Sequence, residues 1–164
     1  MKSFIYSCKS AAFNGLMPTQ KNILKELCEF WSAELRNKKI DIVTAIPGHP
    51  IRSRMQSDLA WFLARYLSRA LGLKEPPSIL KRKVFVKERI YRSQKSLTRS
   101  ERKESINQQY YIPTPGNEAL RVCLIDDVCT TGSTLLLCKK LLENSGYKVD
   151  CAFVLSKVRS HTYY

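Results

Sequence analysis

The sequence predicts an α/β fold with a mainly parallel sheet flanked by helices, in a Rossmann-like arrangement. Three observations carry this expectation. Apolar runs of strand length alternate with segments whose apolar residues recur at helical spacing, the pattern of parallel strands joined by helical crossovers. The run Val122-Cys123-Leu124-Ile125 is uninterrupted, as a strand buried on both faces reads. It leads into Asp126-Asp127, a hydroxyl-and-glycine loop from Thr130 to Thr134, and the apolar stretch Leu135-Leu136-Leu137. Ligands of parallel sheets gather beyond the carboxyl ends of the strands, where this loop falls.

Taken in chain order, the first predicted element is a helix opened by Thr19 and running to about Arg36, with Leu24, Leu27, Cys28, Trp31 and Leu35 on one face. Asp41 to Ile46 reads as a buried strand stopped by Pro47. Ser57 is placed to cap a second helix carrying Leu59, Phe62, Leu63, Tyr66, Leu67, Ala70 and Leu71, closed by Gly72. Pro76-Pro77 breaks the chain, and Ser78 to Val86 is expected to supply another strand. A polar, irregular stretch follows to about Arg102, then the Tyr110-Tyr111-Ile112 patch and a turn marked by Pro113, Pro115 and Gly116. The last unit is a strand at 121–126, a helix at 133–145 closed by Gly146, and a strand at 149–155. No internal repeat is visible. The expected organisation is a single domain over 1–164, with 1–38 as an N-terminal helical segment.

No run approaches the roughly 18 uninterrupted apolar residues of a membrane helix, and the N-terminus lacks the apolar core of a signal peptide. A cytoplasmic protein with no membrane partner is the expectation. The six cysteines, Cys8, Cys28, Cys123, Cys129, Cys138 and Cys151, form no C-x-x-C pair and no regular spacing, which points to buried reduced thiols. Cys129 is set apart by its place in the glycine loop, where partial exposure and a neutral filling role are both open. The formal net charge of +14 favours polyanionic partners or anionic substrates. Much of it lies in 81–103, which holds ten Lys and Arg residues, among them Lys87, Arg89 and Arg92, against Glu88 and Glu101. A solvated basic loop and a phosphate-binding face both fit that block.

The chemistry concentrates at Asp126 to Thr134. The N–H groups of a first helical turn, with the helix dipole behind them, attract a phosphate. Gly132 permits close approach of the backbone, the hydroxyls of Thr130, Thr131, Ser133 and Thr134 add hydrogen bonds, and Val128 and Cys129 join the loop to the carboxylates. Asp126 and Asp127 can accept hydrogen bonds from vicinal hydroxyls. Phosphate on one side and a diol on the other describe a ribose 5-phosphate. A nucleotide P-loop would need a Lys after its second Gly, and none is present. A solvated strand-to-helix turn with an Asp cap remains the bland alternative.

The run DDVCTTGST resembles the phosphoribosyl pyrophosphate (PRPP) loop of type I phosphoribosyltransferases. The resemblance implies that Asp126 and Asp127 hold the ribose hydroxyls and that Thr130 to Thr134 wrap the 5-phosphate. Ile46-Pro47-Gly48-His49-Pro50, with Arg52 and Arg54, is similar to the pyrophosphate loop of these enzymes, in the form carried by the ComF family linked to DNA uptake. A Pro-flanked turn with surface arginines, and a capping role for His49, is the alternative there. The spacing Gln94, Leu97, Glu101, Arg102 resembles a stretch of ComF-like proteins in the region where transferases place a mobile catalytic loop, with Lys87, Arg89 and Arg92 as candidate cations and a basic loop that touches nothing as the alternative.

This chain departs from that family in several places. The four-cysteine zinc module of ComF relatives has no counterpart here, the family's RGFNQ element is shortened to Arg54-Met55-Gln56, and Ser105 stands where an Asn is usual. Thr130 replaces the Asp that purine-type members use for proton transfer, which disfavours purine salvage. The resemblance implies transfer of ribose 5-phosphate from PRPP to an acceptor, with Mg²⁺ held through PRPP and by Asp126 and Asp127. Arg52 and Arg54 would stabilise the departing pyrophosphate. The alternative it leaves is a non-catalytic PRPP or nucleotide sensor acting with single-stranded DNA through the 81–103 block. A homodimer is a further expectation.

Overall fold

The computed structural model describes residues 7–8, 17–48, 59–83, 110–115 and 120–157. Helix α1 (Pro18–Leu35) begins one residue earlier than its sequence signal, with Pro18 in the first turn, where a missing N–H costs nothing. The Met17 backbone N–H donates to Gln20 Oε1 at 2.9 Å and satisfies one group at the helix mouth. Leu24, Cys28, Trp31 and Leu35 form the buried stripe, and a 3₁₀ turn over Arg36–Lys38 follows.

Strand β1 (Ile42–Ala45) lies parallel to β4 (Arg121–Cys129), which is itself parallel to β5 (Lys148–Lys157), giving the order β1-β4-β5. The expected α/β architecture with a parallel sheet is therefore present. Helix α2 (Leu59–Ala70) packs on β1 and β4 and also against α1, while α3 (Ser133–Asn144) packs on β4 and β5. Its stripe of Leu59, Leu63 and Leu67 recurs every four residues and is almost wholly buried.

Alternation along β4 sorts two cores. Cys123 and Ile125 join α1 and α2, with Trp31 stacked on Phe153 at a 4.9 Å ring separation. Val122 and Leu124 join the core under α3, with Ile46, Leu80, Tyr110, Cys138 and Leu142. Thr44, buried within β1, donates its hydroxyl to Pro77 O at 3.0 Å and fixes the diproline segment beside the sheet.

Both glycine stops act as expected. Leu73 N donates to Ser68 O and Gly72 N to Arg69 O, while Tyr147 N donates to Leu142 O and Gly146 N to Glu143 O. These paired bonds close each helix around a glycine of positive φ, 69° at Gly72 and 89° at Gly146.

Three expectations change. The strand foreseen over Ser78 to Val86 is reduced, within the described residues, to β2 (Lys81–Arg82), because Pro76-Pro77 and the anchoring of Leu80 in the core hold the preceding stretch off any ladder. It pairs antiparallel with β3 (Tyr110–Tyr111), outside the main sheet. Strand β4 does not stop at Asp126: it runs to Cys129, because β5 continues beside it and pairs Val128 with Ser156 and Cys129 with Lys157. Strand β5 carries one extra residue, Asp150, between the pairs Val122–Val149 and Cys123–Cys151. Its carboxylate is paired with the Arg121 guanidinium. Ser57, the foreseen cap of α2, lies outside the described residues.

Candidate functional site

The extension of β4 changes the geometry of its two carboxylates. Successive side chains of a strand point to opposite faces. Asp126 shares its face with Val122 and Leu124, on the α3 side, and Asp127 shares its face with Cys123 and Ile125. The charge of Asp126 also reaches Cys138 on α3: burial and then that carboxylate push the Cys138 thiol up to about 12. Asp126 Oδ1 accepts the backbone N–H of Asp127 at 2.8 Å. Both carboxylates are half-buried. The pair expected to act from one strand end is thus split across the sheet.

Asp126, Val128, Cys129, Thr130, Thr131, Gly132, Ser133, Thr134 and Leu135 line one small hollow of about 30 Å³, and Asp127 does not. That volume accommodates about one water, so the loop is folded tightly. The chain turns from β4 into α3 through Gly132, at φ 78° and ψ 0°. This left-handed conformation is what the residue type supplies there: a Cβ would meet nothing nearer than Cys129 Sγ, at 3.9 Å. Gly132 O accepts the first helical bond, from Leu136 N at 2.9 Å. The hydroxyls of Thr131 and Ser133 are 2.8 Å apart, and Ser133 N donates to Thr131 Oγ1 at 3.4 Å. No side chain caps α3 and no acidic residue sits in its first turn, so the positive end of its dipole faces the loop.

Cys129 lies beneath the loop and is only 9 % exposed. Of the partial exposure and the filling role left open for it, the structure shows the buried, loop-filling position. All six cysteines are free, five of them buried.

The predicted pyrophosphate loop starts at the same end of the sheet. Ile46 N donates to Ile125 O at 2.9 Å, which carries the β1 ladder to the level of Asp126 and releases the chain at Pro47 and Gly48. His49, Arg52 and Arg54 lie outside the described residues. So do Lys87, Arg89 and Arg92, together with Gln94, Leu97, Glu101 and Arg102. The chain enters and leaves that basic segment through β2 and β3, and Tyr110 Oη on β3 approaches Pro47 O at 3.5 Å. The segment therefore springs from a ribbon seated beside the β1 turn. In the sequence Tyr110 reads only as part of the Tyr110-Tyr111-Ile112 patch. Its link to Pro47, 63 residues away, has no local signal.

Among the described residues, no group of three His, Cys, Asp or Glu side chains could hold a metal, and no helix is long and apolar enough to cross a membrane. A larger hollow, about 270 Å³, opens away from the loop, lined by Leu35, Arg36, Lys39, Ile40, Ala70 and Leu71.

No protein-family model matches this sequence, and no curated protein matches it. Among solved structures, the chain is similar to a purine phosphoribosyltransferase from Pyrococcus horikoshii Ot3, with a TM-score of 0.46 and 21% identity, over 91% of this chain and 80% of that one.

Proposed function

We propose that this protein binds PRPP and transfers its ribose 5-phosphate to an acceptor, releasing pyrophosphate. One observation carries the reading. The DDVCTTGST run, which resembles the PRPP loop of type I phosphoribosyltransferases, lies at the carboxyl end of the central parallel strand, and Asp126 lines the same hollow as Thr130 to Thr134.

In this reading the 5-phosphate takes N–H and hydroxyl donors from Thr130 to Thr134, and the hollow opens to receive it. Binding at that remote group supplies energy for orienting the ribose. Asp126 accepts hydrogen bonds from the ribose hydroxyls, and its charge favours the positive ring that develops as pyrophosphate departs. Asp127, on the opposite face, acts through the strand or contacts ligand atoms that reach around its end. Arg52, Arg54 and the cations Lys87, Arg89 and Arg92 are assigned to the diphosphate, with Pro47, Gly48 and His49 forming its turn.

The donor set at the loop, the Asp126 carboxylate and several hydroxyls, consists of hard oxygens. It fits Mg²⁺ held chiefly through PRPP with Asp126 as a protein contact, not a dedicated protein cage. The ion would neutralise diphosphate charge. Thr130 offers no carboxylate for proton transfer to a base, so the acceptor is expected to supply or lose its proton by other means.

Titration calorimetry with Mg²⁺ and PRPP tests this. Wild type is expected to bind, Asp126→Asn to lose at least about tenfold in affinity, and Asp127→Asn to lose less, since one charge-assisted contact is worth roughly 1.5–3 kcal/mol. Equal heats for wild type and Asp126→Asn would sink the proposal. Pyrophosphate release across a panel of amines and nucleobases then identifies the acceptor.

A second reading, a PRPP-responsive protein acting with single-stranded DNA, is favoured by one feature of the ribbon. Lys81 stands opposite the exposed Tyr111, and the Arg82 guanidinium lies 5.6 Å from the Tyr110 ring centroid. An exposed ring beside cations is the element that base stacking and phosphate contact require. Binding of oligothymidine should weaken with salt, and Lys81→Ala should make that slope shallower by about 0.7 in log–log terms. An unchanged slope together with unchanged affinity in Tyr111→Ala would count against DNA.

A further inference from the structure

Cys123 and Cys151 occupy partner positions on the neighbouring strands β4 and β5, immediately after the extra residue Asp150. Both side chains lie on the α1 face of the sheet, on directly paired residues, and the Cys123 thiol donates to Leu124 O at 3.9 Å. They differ in access. Cys123 has no exposed surface, whereas Cys151 is half-buried. They also differ in electrostatic surroundings. The Cys151 thiol is held below the usual range chiefly by the neighbouring Cys123 thiol, with Lys38 and Arg121 adding to the effect and burial and Asp150 opposing it. The Cys151 thiol beside it and burial push the Cys123 thiol up. Burial pushes the Cys28 and Cys138 thiols, by contrast, up to about 12. A partly exposed cysteine whose pKa is lowered, paired across neighbouring strands with a second cysteine on the same face, is the arrangement of a peroxide-reactive cysteine with its resolving partner.

We propose that Cys151 and Cys123 form a reversible, peroxide-sensitive dithiol site, with Cys151 as the reacting thiol and Cys123 as the resolving one. The Cys151 thiolate attacks one oxygen of a hydroperoxide, forming an S–O bond and breaking the O–O bond. The other oxygen departs as alkoxide or hydroxide and takes a proton from water, leaving Cys151 as a sulfenic acid. Cys123 sulfur then attacks the Cys151 sulfur, an S–S bond forms, and the sulfenic oxygen leaves as water with the Cys123 proton. Two thiols and one hydroperoxide give one disulfide, one alcohol and one water.

Adjacent strands are roughly 4.8 Å apart, inside the range of disulfide Cα separations but beyond the usual Cβ separation. The bond therefore forms under strain, which makes it readily reduced, as a reversible site requires. Its formation would draw β4 and β5 together three residues before Asp126. The proposal does not depend on the identity of the ligand at the Thr130–Thr134 loop.

The test treats the full chain with a small excess of tert-butyl hydroperoxide, quenches with iodoacetamide, and maps tryptic peptides. In wild type, the peptide 149–157 is expected to become linked to 122–139, with fragmentation placing the link on Cys123 and not on Cys129 or Cys138. Dithiothreitol should reverse it. Cys151 should lose alkylation at least about tenfold faster than Cys28 or Cys138. In Cys123→Ser, Cys151 should instead take up dimedone, the trap for a sulfenic acid. Wild-type protein in which both thiols stay alkylatable after treatment, or in which Cys151 links to a cysteine other than Cys123, overturns the proposal. The wild-type map alone decides this, whatever the folding of the variants.

Discussion

Gly132 shows how much a single residue can hold in place. Its φ of 78° aims the first turn of α3 at the hollow beside Asp126, and the space around it is open. The cost of a side chain there is conformational and not steric. Gly132→Ala should destabilise the protein by about 1–2 kcal/mol in urea unfolding, through the penalty for left-handed backbone. If the loop is the phosphate site, PRPP affinity should fall further than stability does. A variant as stable as wild type would show that the loop relaxes to another turn. The carboxylates teach a different lesson. Two identical neighbours, Asp126 and Asp127, are chemically indistinguishable in the sequence, and their separation onto two faces follows only from strand continuing past them.

Among the elements, the helices were legible because their signals are local. The four-residue spacing of Leu59, Leu63 and Leu67 and the glycines at 72 and 146 each act within one or two turns. The α2 stripe should be the most sensitive seam. Leu63 is fully buried between α1 and the sheet, so Leu63→Ala should cost about 2–5 kcal/mol by urea unfolding, with the range set by how far the cavity collapses. A loss below about 1 kcal/mol would mean that α2 packs less tightly than its burial indicates. Strands were legible as apolar runs, but their ends were not. Asp127 and Val128 read as loop by composition and are strand because β5 continues beside them. The β2–β3 ribbon was harder still, since its two halves are short and lie far apart in the chain.

For the molecule as a whole, two cores share one sheet, and each buries a thiol that resists ionisation. Burial pushes Cys28 and Cys138 up to about 12, from an ordinary value near 9.0. The folded pKa is raised, so the unfolded chain releases these protons first as pH rises. Their stabilising contribution is complete below pH 9 and is lost as pH climbs towards 12. Stability should fall with a slope of roughly 1.4 kcal/mol per pH unit for each thiol within that window. Urea unfolding at pH 8, 9 and 10 checks this, and Cys28→Ala with Cys138→Ala should flatten the slope. A slope unchanged in the double variant would assign the alkaline loss to other groups.

The sequence by itself determined the alternation of strands and helices, the helix stops, and the order of carboxylates, hydroxyls and glycine from Asp126 to Thr134. Those are consequences of backbone preference and periodicity, which act over a few residues. Only the tertiary structure decided that Asp126 lines the hollow while Asp127 does not, that Tyr110 reaches Pro47, and that Cys123 lies against Cys151. Each of these depends on the register of segments brought together from distant parts of the chain. That register is set by burial on both faces of β4, where a slip of one residue would expose one core and bury the wrong carboxylate.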